Sequence, residues 1–200
     1  MAVSEIEVSR KPEMGDPQGD GVSRQIKNTF GLDVPVTTTQ VYQVEGLADA
    51  DRAIQLARIL TDPITEDGLI GRSQATAVAF VDGLNIQLRN GEPSVEIGYK
   101  PEMTDPRSES LKKVSEMIDA PVSEARINTR YTFKGTDAKG AANIAKRLLL
   151  NPNIEQTVAS TPDTLSVDGE PAKTEIVSLI GATDEQLMDL SKDKLFLNLE

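Results

Sequence analysis

The stretch KPEMGDP at Lys11–Pro17 recurs almost unchanged as KPEMTDP at Lys100–Pro106. The two stretches lie 89 residues apart, and this single offset gives 14 identities between residues 6–66 and 95–155. A period of this length is too long for one unit of a solenoid and fits a small domain. The sequence therefore predicts a tandem duplication, and we call the two copies repeat one and repeat two.

The two repeats predict the same succession of strands and helices. An alternating apolar and polar segment predicts a half-buried strand, and the Asp-Pro pair after it predicts a helix start, because Asp caps a helix and Pro fits its first position. A segment rich in β-branched and aromatic residues follows, ending at Gly46 or Gly135, and predicts a bent strand or a strand pair. A second helix and a last strand complete each repeat. The second helices are expected at about 50–60 and 139–149.

This order, β-α-β-β-α-β, is the ferredoxin-like arrangement. Its two helices cover one face of the sheet and leave the other face bare, so two copies can pair these faces or join sheet edges. We predict an α+β protein of two tandem β-α-β-β-α-β domains packed as a pseudo-dimer. The predicted segments are repeat one at 1–70, a β-rich linker at 71–93, repeat two at 94–160, a β-rich extension at 161–182 and a docking or linker tail at 183–200.

Charge and composition exclude several classes of function. The net charge is −11 and no large basic cluster is present, which argues against nucleic-acid and membrane-surface binding. The chain contains no Cys and no His, so thiolate nucleophiles, imidazole bases and the metal sites built from these ligands are excluded. We expect no metal site. With no apolar run long enough for a membrane span and no signal-peptide pattern, we expect a cytoplasmic protein.

At the level of motifs, each repeat resembles the small subunit of phosphoribosylformylglycinamidine synthase, the PurS family. In repeat one the resemblance rests on KPEMGDPQG (Lys11–Gly19), QVYQVEG (Gln40–Gly46) and ILTDPITE (Ile59–Glu66). Repeat two has KPEMTDPRSES, TRYTFKG and LLLNPNIE in the corresponding places. The C-terminal tail from Ile176 resembles the linker that precedes the large synthetase domain in fused forms of the enzyme.

The resemblance implies a non-catalytic assembly subunit in de novo purine biosynthesis. Such a subunit bridges a glutaminase subunit and a large ATP-dependent synthetase subunit, which together form formylglycinamidine ribonucleotide (FGAM), and it helps to shield ammonia in transit. ATP, Mg and glutamine are used by the partners of this ligase complex, so the chain itself is expected to hold no cofactor. Because both repeats share one chain, the pseudo-dimer is expected to be monomeric when alone.

Candidate partner contacts lie at matching positions of the repeats and in the apolar tail. For Lys11 and Lys100 the competing interpretation is a solvated lysine at a strand end. Gly19, replaced by Ser108 in repeat two, would let a partner backbone approach. The tail is expected to dock on another surface. The candidates are Lys11, Gln18, Gly19, Tyr42, Lys100, Arg107, Tyr131, Leu187, Leu190, Leu195 and Leu197.

Two other functions share the predicted element order. A ligand-sensing module of the ACT type would bind a small molecule, often an amino acid, between the repeats. A small hydrolase of the acylphosphatase type needs an Arg in a loop after its first strand. Arg10 lies near that place, but Tyr99 replaces it in repeat two, and the glycine pattern of the loop differs.

Overall fold

The computed structural model describes residues 3–71 and 77–165 and, further along, only residues 181, 183, 184, 187 and 188. The chain divides into two compact units, 1–167 and 168–200. In the second unit the main-chain N–H of Leu187 donates to the carbonyl oxygen of Thr183 at 2.9 Å, which is the spacing of one helical turn. Among the described residues, no helix has both the length and the apolar character needed to cross a membrane.

The first unit contains eight strands and four helices in its described part. Repeat one comprises β1 (Ser4–Arg10), α1 (Pro17–Phe30), β2 (Val36–Glu45), α2 (Ala50–Leu60) and β3 (Glu66–Ile70). A hairpin follows, with β4 (Ala77–Val81) and β5 (Leu84–Arg89). Repeat two comprises β6 (Glu92–Tyr99), α3 (Pro106–Met117), β7 (Glu124–Phe133), α4 (Ala138–Ile144) and β8 (Glu155–Thr157).

The β-α-β-β-α-β order is not observed, because each repeat has one middle strand where the sequence analysis allowed two. The structure has β2 and β7, each an unbroken strand of 10 residues. No Gly or Pro interrupts either strand, and each pairs along its length with the other. The α+β class is confirmed, and each described repeat has the order β-α-β-α-β.

The two repeats join edge to edge in one antiparallel sheet of order β3-β1-β2-β7-β6-β5-β4, with β8 also paired to β6. The β2–β7 ladder runs from the pair Val36 and Phe133 to the pair Glu45 and Glu124. At its centre Gln40 lies opposite Thr129, which is 89 residues later in the chain. Since this is the repeat offset, an internal twofold axis relates β2 to β7 at this pair.

Aspartate caps begin the helices, as predicted for α1 and α3. The Asp16 carboxylate accepts from the Gly19 N–H at 2.9 Å, and Asp105 accepts from the Arg107 N–H at 2.9 Å. Asp49 and Asp137 cap α2 and α4 in the same way. Each cap satisfies a main-chain donor that the first helical turn leaves without a partner.

One residue is inserted in the second helix of repeat two. The caps Asp49 and Asp137 are 88 residues apart, whereas Pro63 and Pro152 after the helices are 89 apart. The structure accommodates this residue by a π-helical turn at Ala145–Leu149, directly after α4. A π turn is the usual result of a single insertion in an α-helix.

Two hydrophobic cores lie on the helix-bearing face, and each draws on both repeats. The α1–α4 core combines Val22 and Ile26 of α1 with strands and α4 of repeat two, including the fully buried Phe133. The α2–α3 core combines Leu111 of α3 with β1 and α2 of repeat one, including the fully buried Leu56. The first helix of each repeat therefore shares a core with the second helix of the other repeat.

The opposite face of the sheet is polar, and its middle is buried. We call this the polar face. Arg130 is 2% exposed there and makes ion pairs with Glu7 at 2.8 Å and Glu96 at 3.0 Å. The expectation of half-buried strands was wrong at these positions, because the chain after β8 returns across this face. Its described contacts include Val158 and Ala159 with Gln87, Thr161 with Glu5, and Thr164 and Leu165 with Glu45.

Candidate functional site

The candidate site lies on the helix-bearing face at the internal twofold axis. Its floor is the pair Gln40 and Thr129, joined by a hydrogen bond of 3.2 Å from the Gln40 amide Nε2 to the Thr129 hydroxyl Oγ1. Tyr131 lies opposite Thr38 on one side of this pair, and Tyr42 lies opposite Ile127 on the other. Both tyrosines therefore occupy equivalent places on either side of the axis.

The first turn of α1 places Gln18 beside repeat two. Its amide Nε2 donates to the Tyr131 hydroxyl at 3.4 Å. The Asp16 cap fixes this turn, because the same carboxylate also accepts from the main-chain N–H and the hydroxyl of Thr38 in β2. Two predicted candidates, Gln18 and Tyr131, are thus brought together across the two repeats.

Arg107 occupies the place of Gln18 in repeat two. Its guanidinium donates to the main-chain oxygen of Ile127 at 3.0 Å and to the Asp105 carboxylate at 3.2 Å. It also lies 5.9 Å from the centre of the Tyr99 ring, which is within the range of a cation–π contact. Its side chain keeps 49% of its surface exposed, so it remains accessible to a partner.

Both tyrosines of the site are half-buried, and burial is the main cause that raises the pKa of each phenol above 10.0. For Tyr42 the negative charge of Glu66 raises the pKa further, while Arg107 lowers it. For Tyr131 the hydrogen bond from Gln18 lowers it in part. At neutral pH both hydroxyls are therefore protonated and can donate or accept a hydrogen bond.

A cleft accompanies the site in each repeat, and the two clefts differ. In repeat one a cleft of about 280 Å³ is lined by Arg10, Gln18, Gln40 and Tyr42, among others. In repeat two a cleft of about 400 Å³ is lined by Lys100, Asp105 and Arg126, among others. The strand ladders beside the clefts differ as well, since β6 pairs with β7 only over Ser94–Ile97, whereas β1 pairs with β2 over Ser4–Ser9.

Lys11 and Lys100 have matching structural contacts. The Lys11 ammonium Nζ donates to the main-chain oxygen of Pro63 at 2.7 Å, and that of Lys100 donates to the oxygen of Asn153 at 3.4 Å. Each lysine thereby ties the loop after the first strand to the loop after the second helix. Their role in binding a partner stays a prediction.

Gly19 is buried, and its close contact is internal. A Cβ at this position would collide with the main-chain oxygen of Val36 in β2 of the same repeat. The glycine therefore lets α1 approach its own strand, and its contact with a partner backbone stays a prediction. In the tail, Leu187 is partly buried, whereas Leu190, Leu195 and Leu197 lie outside the described residues.

Sequence reasoning missed the buried charge cluster around Arg130. Asn128 donates to the Glu96 carboxylate at 3.0 Å, and Gln43 donates to Glu5 at 3.3 Å. The signal was present, because these residues share one face of neighbouring strands by alternation. Opposite charges on that face, Glu5 and Glu7 against Arg130, indicated pairing rather than separate solvation.

The arrangement at the axis offers amide, hydroxyl and phenol groups beside one guanidinium, which suits recognition of a polar partner group. Among the residues that the structure describes, no group of three or more acidic side chains is placed to hold a metal ion. A scan against models of known protein families finds no match for this sequence, and a search of curated proteins finds none either.

Proposed function

We propose that this chain is a non-catalytic assembly subunit of the FGAM-forming enzyme, a PurS-like pair of domains fused in tandem. It would bridge a glutaminase subunit and an ATP-dependent synthetase subunit and help to shield ammonia between them. The observation that carries the proposal is the axis between β2 and β7. The residues at the repeat offset, Gln40 and Thr129, lie face to face there, as the same residue of two subunits does on the axis of a dimer.

Two further features support a bridging role. The repeats present different groups at the equivalent place beside the axis, a neutral Gln18 and a cationic Arg107. The clefts next to them differ in volume and lining. A subunit that holds two unlike partners needs two unlike surfaces, and fusion in one chain lets the surfaces diverge. The absence of Cys is consistent with a glutaminase nucleophile on another chain.

Affinity capture of the full chain from lysate of its source organism tests the proposal. The lysate contains added glutamine and Mg-ADP, and captured proteins are quantified by mass spectrometry. We expect a glutaminase and a large ATP-dependent synthetase in comparable amounts. Arg107→Gln, which copies the residue of repeat one, should reduce one partner more than the other. Lys113→Gln, at an exposed lysine of the same helix, is the matched control. Recovery of neither enzyme would overturn the proposal.

A ligand-sensing role of the ACT type is the second candidate. It is favoured by the cleft of about 280 Å³ in repeat one, because Gln18 and Gln40 line that cleft and also bond to repeat two. A small molecule there would stabilise the contact between the repeats. A screen of free amino acids and nucleotides by thermal unfolding tests it, since a ligand of the folded state raises the unfolding temperature. Stabilisation that Gln40→Ala abolishes would favour this candidate.

A further inference from the structure

An exposed apolar surface lies at the outer edge of repeat one, between α2 and β3. We call it the α2–β3 groove. Ile54 of α2 is 41% exposed and Ile70 of β3 is 43% exposed. Together with Ala57 and Gly68 they line a groove of about 540 Å³. A contiguous apolar surface of this kind marks an interaction site more often than isolated exposed residues do.

The groove coincides with an end of the sheet. On one side β3 pairs with β1 along its whole length, from Ile6 and Ile70 to Arg10 and Glu66. In the described part of the chain β3 is the terminal strand of the sheet order. Its last three residues, Gly68, Leu69 and Ile70, carry no charge that would keep another strand away. An unprotected edge with apolar side chains is a template for strand addition.

Repeat two shows what occupies the corresponding place. There β5 pairs with β6 in the place that β3 takes beside β1, and the sheet continues outward into one further strand, β4. Leu84 and Ile86 of this hairpin are 6% and 0% exposed and pack in the core that contains Ala141 and Ala142 of α4. The hairpin also meets the last strand, since the Asn85 N–H donates to the Thr157 hydroxyl at 2.9 Å.

Equivalent positions in and after the second helix of each repeat differ in exposure or polarity. Ile54 lies five residues after the Asp49 cap and corresponds to Ala142, which lies five residues after the Asp137 cap and is 0% exposed. Ile64, 71% exposed, corresponds to Asn153. Repeat one therefore exposes an apolar side chain of α2 at a position that is covered in repeat two, where a further strand is in place.

We propose that the α2–β3 groove binds an amphipathic β-strand of a partner polypeptide, added to the edge of β3. Its main chain would extend the sheet, and its apolar side chains, at every second position, would cover Ile54 and Ile70. This is recognition by strand addition, in which main-chain hydrogen bonds hold the strand and alternate side chains fill the groove. The inference goes beyond the proposed function, since it does not depend on which enzyme supplies the strand.

The test uses the chain's own hairpin as the probe. A synthetic peptide with the sequence of residues 77–90, closed by a disulfide between added terminal cysteines, presents two preorganised strands. Binding of the fluorescent peptide to the full-length protein is measured by anisotropy. We expect saturable binding that Ile54→Lys combined with Ile70→Lys weakens at least tenfold. Ile59→Lys, at an isoleucine of α2 that is 56% exposed and lies outside the groove, should change binding less than twofold.

Three outcomes would overturn the proposal. The first is no binding of the hairpin peptide to a wild-type protein whose cooperative thermal unfolding shows that it is folded. The second is binding that the double substitution leaves unchanged, because the peptide would then bind elsewhere. The third is a dimer of the chain, seen by light scattering and dissociated by Ile54→Lys, which would assign the groove to a second copy. Amide exchange gives a separate readout, since a bound strand should slow exchange in 68–70.

Discussion

Gln40 and Thr129 are the same position of two repeats, and they lie directly opposite each other at the centre of one β-ladder. The Gln40 amide donates to the Thr129 hydroxyl at 3.2 Å. In a dimer of identical subunits this position would meet its own copy, so an amide-to-hydroxyl pair could not form across the axis. Because the two repeats are fused in one chain, the two residues that meet at the axis can differ, and their contact can be asymmetric.

The shared cores predict that neither repeat folds alone. Residues 1–73 lack α4, and residues 74–200 lack α1, although these two helices pack in one core. We expect each fragment to lack cooperative thermal unfolding as a monomer, and an equimolar mixture to regain it at a concentration-dependent temperature. Light scattering and circular dichroism of the fragments, alone and mixed, provide the measurement. Cooperative unfolding of either monomeric fragment would contradict the shared cores.

Leu111 tests the same point in the intact chain. It is 4% exposed and lies on α3 of repeat two, but packs in the core with Leu56 of repeat one. Leu111→Ala should lower the free energy of unfolding by about 2–5 kcal/mol, because it removes buried methyl groups and leaves a cavity. Met117→Ala on the same helix, at a side chain 85% exposed, should change it by less than about 0.5 kcal/mol. Urea denaturation measures both.

Two glycines of α1 should respond in opposite directions to alanine. At Gly19 a Cβ would collide with the Val36 oxygen, a main-chain atom, so Gly19→Ala should destabilise the protein by about 1–3 kcal/mol or more. At Gly21 the nearest atom is 4.0 Å away, so Gly21→Ala should stabilise it by about 0.5–1 kcal/mol through helix propensity. Equal effects in thermal unfolding would show that α1 does not approach β2 as described.

The hydrogen bond from Gln18 predicts a change in the pKa of Tyr131. Burial raises this pKa above 10.0, and the Gln18 amide partly opposes the shift because it stabilises the phenolate. Gln18→Ala should therefore raise the pKa of Tyr131 further. With Tyr42 and Tyr99 replaced by Phe, Tyr131 is the only tyrosine of the chain, so ultraviolet titration reports it directly. Gln25→Ala, at an exposed side chain of the same helix, is the control and should leave the pKa unchanged.

The sign of the stability effect follows from the same shift. Because the pKa of Tyr131 is higher in the folded state, folding favours the protonated phenol. Its contribution to stability is fully present below about pH 10, the pKa of an unperturbed tyrosine, and is lost as the pH rises through the raised pKa. Tyr131→Phe should thus unfold with a weaker dependence on pH above 10, and an unchanged dependence would contradict the buried phenol.

Local rules predicted the parts of the fold that depend on a few neighbouring residues. The Asp-Pro pairs set the starts of α1 and α3, since capping and the fixed proline geometry act within one turn. The Asp82-Gly83 turn between β4 and β5 is equally local, and both residues have positive φ, 50° and 86°. Asn, Asp and Gly tolerate that geometry, which is why they mark hairpin turns.

Rules that act on neighbouring residues could not predict that α1 and α3 share cores with the other repeat, or that the polar face is buried. The apolar stripe of α1, with Val22 and Ile26, would suit a core in either repeat, and only the assembled sheet decides between them. Alternation likewise places Glu7 and Arg130 on one face but does not say what covers it. The site depends on both features. The sequence therefore predicted Gln18, Tyr42 and Tyr131 as candidates but did not predict that they lie beside an internal twofold axis.

The helices α1 and α3 each pack in a core that includes residues of the other repeat, and this sharing affects how such a chain can evolve. A mutation in α1 can be compensated by one in α4, on the far side of the duplication, as well as by one in β2 of its own repeat. Neither half can be exchanged for a relative's half without replacing parts of both cores. We therefore expect selection to act on the two repeats together, because their interior is shared. The outer surfaces of the repeats can specialise separately.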